Sequence, residues 1–235
     1  MKEKNSITNT EQNKKSDTKV GVRINKYLAL KKISTRRGAD ELVKEKKVFI
    51  NGKLAILGSK VNEQDKIEVK GAKLKEYLYF AYNKPIGIET SSPREDLFPL
   101  GRLDKNSHGL LILTNDGRIT DQLLNPKYFH EKEYIVRTLN KLRSSFKQKM
   151  EAGVNIEGYM TKKCKVQILN DFTFRITLTE GKKHQIRRMC SALFQEVADL
   201  KRERIMNIKL GNLKSNAFRE IKGKELAIFL KSIGF

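Results

Sequence analysis

The apolar residues of this 235-residue chain fall into short runs that are separated by charged and glycine-containing segments. One run, residues 110–113, is unbroken and ends at the turn signal Asn115-Asp116-Gly117. A short continuous apolar run that ends at a turn is typical of a strand buried in a core. The sequence therefore predicts an interior strand here, and it predicts that the preceding loop at 101–109 lies against the core.

Further strands and helices follow from the pattern after residue 76. Strands are predicted at 77–82, 131–137, 164–168, 172–178 and 205–210. Helices are predicted at 141–152 and 223–233, and another begins near residue 185. The apolar positions of that helix are spaced as i, i+3, i+4 and i+7, which places one face inward: Ile186, Met189, Cys190 and Leu193.

The first part of the chain has a different organisation. Residues 21–73 predict a small module of two helices followed by short strands, with Ser34 as the N-cap of the second helix. Residues 1–20 contain almost no apolar side chains and are predicted to be a disordered tail. A charged linker at 74–76 then leads into a larger domain at 77–235.

The charge balance indicates a polyanionic partner. Lys and Arg number 49 against 27 Asp and Glu, a net charge of +22, so nucleic acid is the first expectation and an anionic membrane surface the second. Four cations fall on or beside the two predicted N-terminal helices, where they would meet RNA phosphates: Arg23, Lys26, Arg36 and Arg37. A solvated pair of charged helices would show the same pattern.

Composition also predicts several absences. The chain has two cysteines and three histidines without metal-ligand spacing, so neither a disulfide framework nor a metal site is expected. No glycine-rich phosphate loop occurs, and no cofactor is expected. No apolar run has the length of a bilayer span and no signal pattern opens the chain, so we expect a cytoplasmic protein without a membrane partner.

Asp104 is the first candidate for chemistry. It lies between Arg102 and Lys105, directly before the predicted interior strand. A carboxylate that is held by a core and surrounded by cations has the setting of a nucleophile or a general base. The spacing alone favours an ordinary turn acid in a basic loop.

The segment Gly101-Arg102-Leu103-Asp104, with Ser107 and the run from Gly109 to Gly117, resembles the active-site motif of the pseudouridine synthases, in particular the RsuA-like branch that modifies ribosomal RNA. The resemblance implies that Asp104 is the catalytic aspartate and that Arg102 helps to hold the target nucleotide out of its helix. The turn Lys84-Pro85-Ile86-Gly87 is similar to the one that opens the catalytic domain of this family, and Lys84 is expected at the RNA.

Two later segments resemble further motifs of the same family. Tyr134, in Lys-x-Tyr, matches the tyrosine that stacks on the target base, although a half-buried strand tyrosine would give the same pattern. Gln185-Ile186-Arg187 matches the third motif, which implies that Arg187 forms a bidentate pair with Asp104. Leu178 is expected against the tyrosine or the base, and Arg188 at a phosphate or in solvent.

Residues 21–73 resemble the S4 RNA-binding domain. The matching residues are Arg23, Lys26, Tyr27, Leu28, Ala29, Ser34, Arg36, Arg37, Ala39, Asp40, Val48, Asn51 and Gly52. Gly38, within the second helix, departs from the pattern. The resemblance implies RNA docking rather than chemistry.

Together these motifs predict an α+β fold: an S4 domain followed by a synthase domain on a mixed, mainly antiparallel sheet. The implied function is the isomerisation of a uridine in ribosomal RNA, and the stretch 161–165 is similar to large-subunit synthases of the F type. Two alternatives stay open, a non-catalytic RNA-binding or ribosome-assembly factor and the same chemistry on 16S rRNA or a tRNA. A monomer is the default expectation.

Overall fold

The computed structural model describes residues 21–31, 33–71 and 76–235. The chain divides into two compact units, residues 1–72 and 73–235. The predicted disordered tail at 1–20 and residues 74 and 75 of the predicted linker lie outside the described residues.

The N-terminal unit packs two helices against short antiparallel strands. Its elements are β1 (Val22–Arg23), α1 (Ile24–Leu30), α2 (Arg36–Lys44), β2 (Val48–Ile50), β3 (Lys53–Leu54), β4 (Lys60–Val61) and β5 (Ile67–Val69). Strands β3, β2 and β5 form one sheet, and β1 pairs with β4. Its core consists of buried apolar side chains: Ile24, Leu28, Ala39, Val43, Val48, Ala55 and Val61.

The start of α2 corrects one prediction and places Gly38 beside the Ser34 hydroxyl. The helix is capped by Thr35 rather than by Ser34, because the Thr35 hydroxyl accepts a hydrogen bond from the Gly38 N–H at 3.0 Å. A Cβ atom on Gly38 would lie 2.6 Å from the Ser34 hydroxyl oxygen. Glycine costs a helix about 1 kcal/mol relative to alanine, and a side chain at this position would require the Ser34 hydroxyl to move.

The C-terminal unit is built on one large sheet. Its strands are β6 (Tyr79–Lys84), β7 (Phe98–Leu100), β8 (His108–Thr114), β9 (Lys132–Thr138), β10 (Asn155–Ile156), β11 (Tyr159–Met160), β12 (Lys165–Asn170), β13 (Thr173–Leu178), β14 (Val197–Ile205), β15 (Ile208–Lys209) and β16 (Phe218–Glu220). Its helices are α3 (Thr120–Leu124), α4 (Phe146–Ala152), α5 (Gln185–Ala192) and α6 (Gly223–Ser232).

The sheet is mixed and mainly antiparallel, as predicted. The strand order is β12-β13-β9-β14-β8-β6-β16, with β15 beside β14, β7 beside β8 and a separate hairpin of β10 and β11. The β14–β8 pair is parallel, and it sets Arg202 opposite Gly109. On its other side β14 runs antiparallel to β9 and sets Arg202 opposite Tyr134. These registers bring the segment after Asp104 and the strand of Tyr134 to one level of the sheet.

Three apolar clusters pack on this sheet, and two of them include helices. Strands β6 and β8 pack against α3 and α6 through a cluster that includes Leu110, Ile112, Leu123 and Phe229. Strands β9 and β13 pack against α4 and α5 through a second cluster, which includes Val136, Ile176, Met150, Met189 and Cys190. The predicted interior strand is confirmed because residues 109–114 are all buried, and the predicted inward face of α5 is confirmed for Ile186, Met189 and Cys190.

The region around residue 205 is where the predicted elements differ most from the structure. The strand predicted at 205–210 is instead the end of β14 and the short β15, joined by a turn in which Met206 has φ +52°. Most of β14 was not predicted, because five of its nine residues are charged and mask the strand pattern: Asp199, Lys201, Arg202, Glu203 and Arg204. The helix predicted at 141–152 begins only at Phe146.

Candidate active site

The loop that carries Asp104 leads into the first residue of β8 and is fixed by hydrogen bonds. The Leu103 N–H donates to the Thr90 hydroxyl at 2.9 Å, and that hydroxyl donates to the Leu103 carbonyl at 2.7 Å. The Ser107 N–H donates to the Asp104 carbonyl at 3.0 Å and closes the turn. The Asp104 carboxylate, 35% exposed, therefore stands at the solvent side of an anchored loop.

The structure corrects the expectation that Lys84 contacts RNA, because its side chain is completely buried. Its ammonium donates to the carbonyls of Pro85 at 2.9 Å and Ile88 at 2.6 Å. Burial lowers the pKa of Lys84, and the nearby charge of Asp104 opposes that shift. Lys84 thus secures the turn that follows β6 and supplies positive charge behind the Asp104 loop.

Tyr134 lies on β9 as predicted and is half-buried. Its ring packs against the apolar cluster that contains Leu103 and Leu111, the residues on either side of the Asp104 turn. The guanidinium carbon of Arg202 lies 5.9 Å from the centre of the Tyr134 ring. The apolar packing therefore links the tyrosine to the loop of the aspartate.

The expected bidentate pair between Arg187 and Asp104 is wrong for this structure. Arg187 instead donates to the carbonyls of Asn106 at 2.7 Å and Val197 at 3.1 Å. The physical reason is that α5 directs Arg187 to the backbone that leads into β8 and β14. The Arg187 side chain therefore contacts the main chain of the Asp104 loop and not the Asp104 carboxylate.

His184 is the side chain that approaches Asp104 directly. Its Nε2 atom lies 3.4 Å from Oδ1 of Asp104. His184 is also the N-cap of α5, and its backbone has φ +52° and ψ +28°, the left-handed conformation that non-glycine residues seldom adopt. The turn into α5 thus holds His184 over the carboxylate at a cost in backbone energy.

A buried carboxylate holds this turn in shape. Glu180 accepts hydrogen bonds from the Tyr159 hydroxyl at 2.6 Å, the Gln185 amide at 2.8 Å and the Lys162 N–H at 3.0 Å. Burial alone would raise the pKa of Glu180, but these donors hold it below its usual value. Gln185 also accepts from the Lys182 N–H at 2.8 Å, so the segment before α5 is closed on both sides.

The remaining candidates divide between surface and structural positions. Arg102 is exposed beside Asp104, and in the other unit Arg23, Lys26, Arg36 and Arg37 are all exposed. Arg188 does not project freely: it pairs with Glu157 at 2.8 Å and donates to the Ile156 carbonyl, which ties α5 to the β10–β11 hairpin. Leu178 is 3% exposed and belongs to the apolar cluster that Tyr134 touches.

The described part of the chain offers no group of three or more His, Cys, Asp or Glu residues that could hold a metal ion. Within those same residues, none of the helices combines the length and hydropathy needed to cross a bilayer.

Comparison with known proteins identifies the family. Residues 88–192, which contain Asp104, Tyr134 and Arg187, match the family model of RNA pseudouridylate synthase, and residues 22–67 match the S4 domain. The chain is 39% identical to the dual-specificity RNA pseudouridine synthase RluF of Escherichia coli (strain K12), over 90% of this chain and 79% of that protein. The chain belongs to the RNA pseudouridine synthase family.

Other members of this family support the same assignment. The ribosomal large subunit pseudouridine synthase B of Bacillus subtilis (strain 168) is 34% identical, over 87% of this chain and 93% of that protein. A crystal structure of a pseudouridylate synthase matches with a TM-score of 0.66 and 27% identity, over 90% of this chain and 99% of that one. The predicted fold, the S4 domain and the isomerase class are therefore confirmed for this pseudouridine synthase, which acts on RNA.

Sequence reasoning missed three charged residues beside the candidate site. Arg202 and Glu180 are buried, and Lys132 is partly buried next to Arg202. Burial, together with the Arg202 charge, lowers the pKa of Lys132 to about 8. Lys132 is the lysine of the Lys-x-Tyr pattern, so the resemblance could have signalled it. Arg202 and Glu180 are charges among many in a basic chain, and only the packing distinguishes them.

Proposed function

We propose that this synthase converts a uridine of ribosomal RNA, in the large subunit, to pseudouridine. The observation that carries the proposal is the arrangement at the start of β8, where Asp104 stands on an anchored loop, with His184 at 3.4 Å and with Tyr134 in the apolar cluster beneath the same loop. The large-subunit assignment is supported by the name of the B. subtilis relative.

In this reaction the N1–C1′ bond of the uridine breaks, the detached uracil turns, and a C5–C1′ bond forms. The C5 proton is lost and N1 gains a proton, so no redox partner or energy source is required. We assign to Asp104 the first action on the nucleotide and to Tyr134 the stacking of the base. Stacking on an aromatic ring holds a flipped base without hydrogen bonds that would prevent its rotation.

The basic residues have supporting roles in this proposal. Arg102, exposed beside Asp104, helps to keep the nucleotide out of its helix. Arg187 positions the Asp104 loop through the Asn106 carbonyl, and Leu178 lines the apolar floor next to Tyr134. The exposed cations of the S4 unit bind phosphate, which makes affinity strongly dependent on salt.

The decisive experiment compares the chain with Asp104→Asn on transcripts of 23S rRNA, 16S rRNA and tRNA, with pseudouridine marked chemically at nucleotide resolution. We expect one site in 23S rRNA for the wild type and none for Asp104→Asn, which should still bind the RNA. Asp171→Asn is the matched control, because Asp171 is an exposed hairpin carboxylate that pairs with Lys141. Full activity of Asp104→Asn would overturn the site assignment.

A second substrate class has support in the name of the E. coli relative, which is a dual-specificity enzyme. Modification of a tRNA or of 16S rRNA in the same assay would keep the chemistry and replace the substrate. RNA binding without modification of any transcript would favour a non-catalytic assembly factor. The proposal also includes action in the cytoplasm as a monomer, which fractionation and gel filtration of the purified chain would test.

A further inference from the structure

Arg202 occupies the point of the sheet where the two proposed catalytic segments meet. It lies near the middle of β14, opposite Tyr134 on the antiparallel side and opposite Gly109 on the parallel side. The approach to β8 is close enough that a Cβ atom on Gly109 would lie 2.4 Å from the Arg202 carbonyl oxygen. Arg202 therefore borders both the tyrosine strand and the end of the Asp104 loop.

The guanidinium of Arg202 holds both flanks of that loop. Its Nε donates to the Leu110 carbonyl at 2.7 Å, and its Nη1 contacts the Arg102 carbonyl at 3.5 Å. The positive group also lies 5.9 Å from the centre of the Tyr134 ring, within the range of a cation–π contact. One planar group thus spans the start of the loop, the strand that follows it and the face of the tyrosine.

This arrangement is costly for the fold. Arg202 is 3% exposed, its Nη2 has no hydrogen-bond partner, and no ion pair among residues 21–31, 33–71 and 76–235 includes it. The neighbouring Lys132 adds a second cation. A buried charge without a counter-charge is destabilising, and an apolar residue of similar size would suit a purely structural position better.

We propose that Arg202 is a positioning residue that fixes the Asp104 loop and the Tyr134 ring relative to each other; this inference rests on the proposed roles of Asp104 and Tyr134. Arg202 acts through the carbonyls of residues 102 and 110 and through the ring face, not on the RNA. Its loss allows the two reacting elements to move independently, so the chemical step slows while RNA binding is kept.

The test uses two variants. Arg202→Met keeps a long side chain and removes the charge and the guanidinium donors, whereas Arg202→Lys keeps the charge without the planar guanidinium. Arg204→Met is the matched control, because Arg204 lies on the same strand but pairs with Glu131 and Glu133. We expect Arg202→Met to lower kcat by about 100-fold, the cost of misplacing reacting groups by about 1 Å. KM should remain unchanged, Arg202→Lys should be intermediate, and Arg204→Met should keep wild-type kcat.

Hydrogen exchange on the RNA-free chain gives a readout that is independent of activity. Arg202→Met should lose amide protection in peptides covering residues 102–110 and 132–136, whereas Arg204→Met should not. Unchanged kcat and unchanged protection in Arg202→Met would overturn the inference, and so would a loss confined to KM. If Arg202→Met fails to fold, the same measurements on Arg202→Lys decide.

The inference and the proposed function can fail separately. An inactive Asp104→Asn together with a fully active Arg202→Met would leave the site assignment intact and remove Arg202 from it. A fully active Asp104→Asn would remove the assignment itself, and the exchange experiment would then show only whether Arg202 orders the loop.

Discussion

Gly109→Ala is the sharpest test of how closely β8 and β14 approach at the proposed site. Gly109 has φ +102°, a backbone conformation that residues with side chains seldom adopt. An added Cβ atom would lie 2.4 Å from the carbonyl oxygen of Arg202 and 2.8 Å from its nitrogen. Both atoms belong to the backbone of a central strand, so neither can move away without distorting the sheet.

The expected loss of unfolding free energy in Gly109→Ala has two parts, which a second variant can separate. A left-handed backbone costs a residue with a side chain about 1–2 kcal/mol, and forcing an extra carbon into a packed interior costs about 1–3 kcal/mol more. Gly158→Ala carries the first part alone, since Gly158 has φ +83° and a Cβ atom added there would meet nothing within 4 Å. We therefore expect Gly109→Ala to exceed Gly158→Ala by about 2 kcal/mol of unfolding free energy.

Thermal unfolding by differential scanning calorimetry measures this difference directly. For a domain of this size, about 2 kcal/mol corresponds to a further fall of roughly 4–8 °C in Tm. Gly109→Ala should also lose kcat, because its new methyl group displaces the strand position of Arg202. Equal Tm values for the two variants would contradict the close approach of β8 and β14.

Three further predictions concern charge. Burial, followed by the Arg202 charge, lowers the pKa of Lys132 from 10.5 to about 8 in the fold, so between these pH values the unfolded chain binds more protons and stability rises with pH. Lys132→Met should therefore raise the free energy of unfolding at pH 7 by at most about 3 kcal/mol, and Tm with it. This gain in stability should vanish above pH 10.5. The pKa of Glu180 is lowered in the fold, so the ionised carboxylate stabilises the fold at neutral pH, and this stabilisation is lost as the pH falls through the pKa of the folded state. Glu180→Gln should therefore lower Tm at pH 7. The difference in Tm between the variant and the wild type should become smaller in measurements below pH 4.5. The double variant Arg23→Ala with Lys26→Ala removes two exposed cations, so it should weaken RNA binding and reduce the slope of log affinity against log salt by about 2. Titration of the chain with RNA at several salt concentrations measures this slope. An unchanged slope would place both residues away from phosphate.

The elements that sequence could predict are those whose pattern has a single physical cause. The run at 110–113 is apolar because β8 is covered on both faces, and α5 shows its period because only one side of it meets the core. The module at 21–73 could be predicted in the same way, from the apolar face of its first helix and from its Asn51-Gly52 turn. The positions of Asp104 and Tyr134 at the sheet followed from these elements.

The elements that sequence could not predict involve charged side chains in contact with backbone. In β14 charged residues occupy half-buried positions, form ion pairs and, at Arg202, lie buried, so charged and apolar residues do not alternate. Arg187 and Lys84 were assigned partners by analogy, but both donate to carbonyl oxygens, whose positions depend on the completed fold. His184 over Asp104 requires a left-handed turn that its residue type does not signal.

The way in which positive charge is arranged at Asp104 bears on how the site would work. A bidentate arginine would fix the carboxylate of Asp104 itself through two parallel hydrogen bonds. In the structure Lys84 and Arg202 instead hold backbone carbonyls behind the Asp104 loop, and Arg187 holds the carbonyl of Asn106. Of these three cations, Lys84 also interacts electrostatically with Asp104, whose charge opposes the lowering of the Lys84 pKa by burial. The Asp104 loop is thereby positioned through its backbone while the carboxylate remains 35% exposed, which the proposed direct action of Asp104 on a bound nucleotide requires.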